Sequence, residues 1–237
     1  MVNGNIKSLI SELKKLKNSS KIVVYKNFHK TSINGYASGE EFLGINASQL
    51  RIVARKYINL SLKDIEILLS SIIHEEKYLA VLILVNRYKN SDEEEKGKII
   101  KFYLENTSRI SGWDLVDTSA PYILGHWLLN KDKSILFKLA KSNNLWERRI
   151  SIISTYHFIK NNQFQDALKI SSILLKDEHD LIHKAVGWML REIGKRDIKA
   201  EEDFLKKHYK NMSRTMLRYA IEKFPGNKRQ AYLKGKI

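Results

Sequence analysis

The sequence of 237 residues contains no cysteine, only two prolines and only eleven glycines. Without cysteine there is no disulfide framework, no thiolate nucleophile and no thiolate metal site. So few prolines and glycines leave little room for the many turns of an all-β fold. The sequence also lacks a glycine-rich dinucleotide loop, a phosphate-binding loop and a nucleophile elbow, which argues against the enzyme classes marked by those motifs.

A long apolar run is also missing. Residues 1–17 alternate apolar and charged residues at helical spacing, unlike a secretory signal or a membrane span. We therefore expect a cytoplasmic protein that makes no use of a membrane. Hydrophobic residues make up 43% of the chain, enough to bury a sizeable core.

Positive charge is what the sequence has in excess. Forty-two lysines and arginines stand against 26 acidic residues, giving a formal net charge of +16. This balance is typical of a surface that binds nucleic-acid phosphates. Two other interpretations remain open: the lysines are solvated charge only, or the chain is a helical scaffold for acidic proteins. The acidic run at residues 92–95 indicates that the positive charge is concentrated on one face.

Apolar residues recur at three- and four-residue spacing almost throughout, which predicts an all-α fold of roughly twelve helices. The one long irregular segment is expected at residues 31–45. Helix starts are indicated by cap residues followed three positions later by an acid or glutamine. These pairs are Asn46 with Gln49, Ser61 with Asp64, and Ser91 with Glu94.

Three helical stretches, at residues 78–81, 149–152 and 184–187, resemble successive inner helices. Each carries a small residue where neighbouring helices can approach closely: Ala80, Ser151, and Ala185 or Gly187. Such spacing is typical of helical-repeat arrays, in which stacked helix pairs form a curved solenoid. We expect one such domain over residues 1–237 with a basic concave face; an irregular helical bundle is the alternative.

Trp113 and Asp117 are four residues apart and therefore share one helix face. Pro121 clashes with the carbonyl four residues back, so the helix should kink or restart near Asp117. This favours a projecting carboxylate. The alternative is that Asp117 caps the helix and Trp113 belongs to the core. Asp114 should point elsewhere on the helix and matter less.

Each remaining candidate for a functional role can also be interpreted as a structural residue. Trp188 is a binding platform or a core residue, and Arg149 binds a phosphate or pairs with Glu147 or another acid. His179 and His183 are four apart but have no evident third partner, so we predict no metal and no cofactor. The other histidines are expected to form no cluster; they are His29, His74, His126, His157 and His208.

Taken in order, these clusters resemble the AlkD family of DNA alkylation-repair glycosylases, which are built from HEAT-like repeats. The resemblance covers most of the chain. Its segments are Phe42-Leu43-Gly44-Ile45, Leu50-Arg51, Trp113-Asp114-Leu115-Val116-Asp117, Asn144-Leu145-Trp146 with Arg149, Lys184–Glu192 and Ser213–Lys223. It implies an all-α, right-handed, HEAT-like solenoid that acts as a monomer on double-stranded DNA.

The resemblance also implies roles for individual residues. Asp117 would be the catalytic carboxylate, Trp113 and Trp188 the flanking aromatic residues, and Arg149 a phosphate ligand. Arg191 lies in a matching segment and joins the DNA-binding residues. The family's N-terminal tyrosine falls on Tyr25 or Tyr36, and we take Tyr25.

The implied activity is excision of positively charged N3- or N7-alkylpurines, such as 3-methyladenine and 7-methylguanine, in base excision repair. One convincing carboxylate is enough for such a base, because it leaves as a neutral molecule without protonation. The resemblance further implies recognition on an open surface rather than in a pocket that encloses the base. A DNA-binding paralogue without excision activity is the alternative.

Overall fold

Helices form nearly all of the regular structure in a computed structural model of the chain, which describes residues 5–33 and 35–237. Within these residues the extended pairing is limited to an isolated bridge between Glu41 and Ile73. The predicted all-α fold is confirmed. None of the helices in these residues is both long and apolar enough to span a bilayer. The chain divides into two units, Met1–Ser119 and Ala120–Ile237.

Seven α-helices form unit 1. They are α1 (Ile6–Lys15), α2 (Ser19–Phe28), α3 (Ala47–Lys56), α4 (Leu62–Leu69), α5 (His74–Lys89), α6 (Glu93–Glu105) and α7 (Trp113–Ser119). The predicted irregular segment falls between α2 and α3, where the described residues carry no helix.

Two of the three predicted helix caps of unit 1 are confirmed. Asn46 and Gln49 form a reciprocal capping box at α3, and the Ser61 hydroxyl accepts the amide of Asp64 at α4. The third prediction was wrong by one residue, because Asp92 rather than Ser91 caps α6. Both residue types cap well, and the Asp92 carboxylate accepts the amide of Glu95.

Helix α5 is the core of unit 1 and is buried almost all round from His74 to Val85. It packs against α3, α4 and α7. Its buried polar residues therefore need partners within the protein. Glu75 accepts the backbone amides of Leu43, Gly44 and Ile45 at 2.8–3.2 Å, which fixes the loop before α3 against the first turn of α5.

Unit 2 begins with a π-helical turn at Pro121–Gly125, in which the Gly125 amide donates to the Ala120 carbonyl at 2.8 Å. The predicted restart at Pro121 is confirmed, since α7 ends at Ser119. The helices that follow are α8 (His126–Leu128), α9 (Ser134–Leu139), α10 (Leu145–Lys160), α11 (Gln165–Ile173), α12 (Asp180–Gly194), α13 (Ile198–His208), α14 (Arg214–Ala220) and α15 (Gly226–Leu233).

Helices α10 and α12 form the core of unit 2 and pack against each other, while α12 also packs closely on α14. Gly187 makes that close packing possible. A Cβ at this position would lie 2.5 Å from the Met216 carbonyl oxygen and 2.5 Å from Cβ of Tyr219. The expectation of a small residue at a close helix approach is confirmed here.

Candidate active site

A pocket of about 330 Å³ lies in unit 1, beside the face of α7 that carries Trp113 and Asp117. Its walls are mainly aromatic and apolar. The aromatic residues are Tyr25, Phe28, His29, Phe42, His74, Tyr78 and Trp113, and the acids are Glu75, Asp114 and Asp117. Below, this is called the α7 pocket.

Helix α7 carries Trp113 and Asp117, the two residues that the sequence predicted to share one helix face. Trp113 and Asp117 line the α7 pocket together, so the predicted shared face is confirmed. Trp113 is only partly buried. Its ring meets the edge of Phe28 at a centroid distance of 5.5 Å and stacks on His29 at 5.7 Å with an interplanar angle of 15°. Trp113 is therefore a wall of the pocket and not only a core residue.

Asp117 lies in the last turn of α7 and is partly exposed. Tyr103 is close by: burial raises the pKa of its phenol, and the charge of Asp117 adds to the rise. The Tyr103 hydroxyl lies 2.9 Å from Oγ of Ser119. Asp117 is thus a partly exposed carboxylate in the lining of an aromatic pocket.

Asp114 faces the interior and pairs with His74 at the start of α5. His74 Nε2 lies 2.8 Å from Asp114 Oδ2, and His74 Nδ1 lies 2.6 Å from Glu40 Oε2. Lys77 donates to Glu40 and, at 3.0 Å, to Ser111. This group of Glu40, His74, Lys77 and Asp114 is named the buried ion network.

Protonation in the buried ion network follows from its pairing. Burial alone would lower the pKa of His74, but the hydrogen bonds and charges of Asp114 and Glu40 outweigh it and raise the pKa to about 9. Burial would raise the pKa of Asp114 and of Glu40, yet His74 holds both below their usual values. At neutral pH the network therefore contains an imidazolium between two carboxylates.

His29 joins the buried ion network to Trp113. Its ring lies 4.3 Å from the ring of His74, and its buried Nδ1 has no hydrogen-bond partner. Burial lowers the pKa of His29 against the opposing charge of Asp114, so the ring is neutral at pH 7. The neutral ring can stack on Trp113 without placing a second cation beside His74.

The expectation that the remaining histidines form no cluster was wrong. His29 and His74 are in contact in unit 1, and the rings of His126 and His157 lie 5.2 Å apart in unit 2. His29, His74 and Asp114 bring possible ligand atoms within 4.8 Å of one another. However, His74 already shares the proton on Nε2 with Asp114, and a cation would have to displace it.

Comparison with known proteins identifies the family. A model of the DNA alkylation repair enzyme family matches residues 9–224. The chain belongs to this family. The sequence resemblance also implied a DNA alkylation-repair family, and the family match agrees with that general part of it.

One solved structure similar to this chain is described as a predicted DNA alkylation repair enzyme from Enterococcus faecalis. The two chains are 18% identical and superpose with a TM-score of 0.70, over 89% of this chain and 97% of the other. At this identity the likeness shows the fold alone. No curated protein matches the chain.

Of the two candidate tyrosines, Tyr25 lines the α7 pocket, and its ring lies edge-on to that of Phe42 at a centroid distance of 6.5 Å. Tyr36 donates its hydroxyl to the carbonyl of Phe28 at 3.3 Å. Tyr36 thus ties the loop to the end of α2, whereas Tyr25 is available to a ligand in the pocket.

The other candidates lie in unit 2. The Trp188 indole donates to Glu192 at 3.2 Å, and its ring is 5.6 Å from that of Tyr156. Arg191 pairs with Glu222. Arg149 is 4% exposed and donates from Nη1 to the Leu181 carbonyl at 2.6 Å, so part of its guanidinium holds α12.

Four residues that line the α7 pocket were not found from the sequence, namely Phe28, His29, His74 and Tyr78, and neither was Glu40, the partner of His74. One signal was present for His74, a histidine followed by two acids at the start of an otherwise apolar helix. Ionisable residues at the start of such a helix become buried with it and require partners.

Proposed function

We propose that this alkylation repair enzyme is a DNA glycosylase of the AlkD type. It excises positively charged N3- or N7-alkylpurines from double-stranded DNA in base excision repair. One observation carries the proposal: Asp117 and Trp113 stand together on the wall of an aromatic pocket, where both are partly exposed, whereas the other acid of α7, Asp114, is paired with His74.

The charges around the pocket suit a cationic leaving base. Asp114 is ionised and paired with His74, and Glu75 accepts three backbone amides. Neither is therefore placed to donate a proton. A neutral base needs such a proton when it leaves, whereas an N7- or N3-alkylated purine departs neutral without one.

Asp117 then has two roles in the proposed reaction. Its negative charge stabilises the oxocarbenium-like sugar that forms as the glycosidic bond breaks. It also orients the water that attacks the anomeric carbon and accepts a proton from that water. The products are the free alkylated base and an abasic site.

The aromatic walls supply selectivity for a cationic lesion. The partly exposed rings of Trp113 and Tyr25 attract a positive charge through cation–π interactions, each about 0.5–2 kcal/mol, and this attraction does not require the pocket to enclose the base. A neutral base gains none of this attraction. The preference therefore acts on the lesion and not on undamaged DNA.

DNA binding completes the proposal. We assign it to a basic concave face of a single, monomeric, HEAT-like solenoid, with Trp188, Arg149 and Arg191 on the DNA side and the alkylated base on an open surface. Arg191 would exchange Glu222 for a phosphate. The proposal places the activity in the cytoplasm.

The test is incubation of the protein with N-methylated duplex DNA and excess EDTA, followed by chromatography of the released bases. Free 7-methylguanine and 3-methyladenine are expected, since the mechanism uses no metal. Salt-dependent binding of the duplex without any released base would identify a DNA-binding paralogue instead. A lack of duplex binding would favour a scaffold for acidic proteins.

A further inference from the structure

Helix α7 is short, and something outside it must fix its position. It has seven residues, fewer than an isolated helix needs to persist in water. Trp113, Asp114 and Asp117 all belong to it, so they move as one body. A contact that holds Asp114 at the first turn therefore also helps to determine where Trp113 and Asp117 stand, together with the buried bond of Ser119 to Tyr103 at the last turn.

The attachment of Asp114 is a largely buried contact between ionised groups, and it lies at the opposite end of α7 from the buried hydrogen bond of Ser119 with Tyr103. The side chains of His74, Glu40 and Asp114 are 5%, 9% and 18% exposed. Hydrogen bonds between ionised partners in such surroundings are short and strong, and both carboxylate contacts of His74 are shorter than 3 Å. They join the first turn of α7 to the first turn of α5 and to the loop that carries Glu40.

The space around this pair is filled. A Cβ on Gly112 would lie 2.9 Å from Asp114 Oδ1 and 3.3 Å from His74 Cε1. Only glycine leaves room for the two side chains to meet as they do. On the other side, the ring of His74 stacks on Phe42 at 4.8 Å and contacts His29, which in turn stacks on Trp113.

We propose that the Glu40–His74–Asp114 chain is a positioning device for α7, with His74 and Asp114 as positioning residues that place Trp113 and Asp117 in the α7 pocket. The inference rests on the proposed glycosylase function for its kinetic consequences only. It replaces the expectation that Asp114 matters less than its neighbours.

The charge state of His74 sets the strength of the device. The groups facing His74 are Glu40 from the loop, Asp114 from α7, Lys77 from its own helix and His29 from the segment after α2. Loss of the imidazolium proton would leave the two carboxylates with Lys77 as their remaining cation among these groups. The contact from α5 to α7 would then weaken.

Three variants test the device: Asp114→Asn, His74→Gln and a matched control, Asp203→Asn. Asp203 loses the same charge but forms an exposed pair with Lys199 on α13. Each is labelled with 5-fluorotryptophan, and the Trp113 resonance is assigned with Trp113→Phe. Excision of 7-methylguanine under single turnover and duplex affinity are measured in parallel.

In the unmodified protein the Trp113 fluorine resonance and the His74 ring signal should titrate together near pH 9. Asp114→Asn should move that transition to lower pH, since His74 loses one of its carboxylates. His29 titrates below its usual value and does not interfere. A purely structural role would not move this pH profile, and a Trp113 resonance indifferent to His74 would overturn the proposal.

The kinetic arm has its own outcomes. Asp114→Asn and His74→Gln should slow excision by about tenfold or more, because small displacements of catalytic groups are costly. Their affinity for the duplex should remain close to that of the unmodified protein. Asp203→Asn should keep both the excision rate and the affinity of the unmodified protein. Normal excision by Asp114→Asn would overturn the positioning role and leave the proposed function standing. If the unmodified protein releases no base, the proposed function fails. The titrations of the unmodified protein still test the positioning role in that case. They also test it if one of the variants does not fold.

Discussion

His74 Nε2 lies 2.8 Å from Asp114 Oδ2, at a buried ion pair that joins the first turns of α5 and α7. The two residues are forty positions apart in the chain. Their contact connects the core helix of unit 1 to the short helix that carries Trp113 and Asp117. The same contact makes the stability of unit 1 sensitive to pH.

The first prediction concerns that sensitivity. The pKa of His74 is raised from its ordinary value of 6.5 to about 9, so the stabilisation is fully present below about pH 6.5 and is lost as pH rises through 9. The free energy of unfolding should fall over this window by at most about 3 kcal/mol. Urea unfolding at four pH values measures it. His74→Gln should flatten the dependence, and parallel curves for the two proteins would contradict the assignment.

The second prediction concerns substrate choice. Cationic 7-methylguanine and 3-methyladenine should be released, whereas neutral uracil and hypoxanthine should not, because the acids around the α7 pocket are not placed to protonate a leaving base. Bulky N7-alkyl guanines should be released nearly as well as the methyl adduct if the base stays on an open surface. Duplexes with a single lesion of each kind give the rates. Efficient uracil release would refute the leaving-group argument, and strict rejection of bulky adducts would place the base inside the pocket.

The third prediction separates two roles of Arg149. Arg149→Ala should lower stability by about 1–3 kcal/mol, because it removes a buried charge-assisted hydrogen bond from the guanidinium to the Leu181 carbonyl and leaves a void where the side chain packed. It should also lower the slope of log affinity for DNA against log salt by about one, as expected for one lost phosphate contact. Arg148→Ala is the control, because Arg148 pairs with Asp177 at 2.6 Å. This variant should be less stable than the unmodified protein, but its DNA affinity should keep the same dependence on salt. An unchanged slope in Arg149→Ala would leave this arginine with a structural role alone.

The fourth prediction tests the packing of unit 2. Gly187→Ala should cost about 1–3 kcal/mol, because its Cβ would lie 2.5 Å from the backbone oxygen of Met216 and force α14 away from α12. Gly226→Ala is the matched control, since a Cβ there meets nothing within 4 Å. Thermal unfolding compares the two. Equal midpoints would show that α12 and α14 do not approach as closely as described.

Local relations were predictable from the sequence, and long-range ones were not. The four-residue spacing of Trp113 and Asp117 predicted that they share one helix face, and Pro121 predicted the irregular turn that follows α7. Both predictions hold because the effects act within one or two turns of a helix. The ion pair of His74 and Asp114 depends on how α5 and α7 pack. No periodicity in either segment carries that information.

Errors at the sequence level have the same physical origin. Ser91 and Asp92 are both good cap residues, so the pattern could not choose between them. The histidines looked unrelated because His29 and His74 come together only when the loop before α3 folds onto α5. Asp114 does point away from Asp117 as expected, but nothing in the sequence indicated that its partner there would be His74 of the core helix.

The central claim is that Asp117 carries base excision, and the most direct measurement is single-turnover release of 7-methylguanine from methylated duplex DNA by the unmodified protein and by Asp117→Asn. The unmodified protein should release the base. Asp117→Asn should release none above the spontaneous rate while it binds the duplex as tightly or more tightly, since one negative charge near the phosphates is gone. Undiminished release by Asp117→Asn would contradict the account.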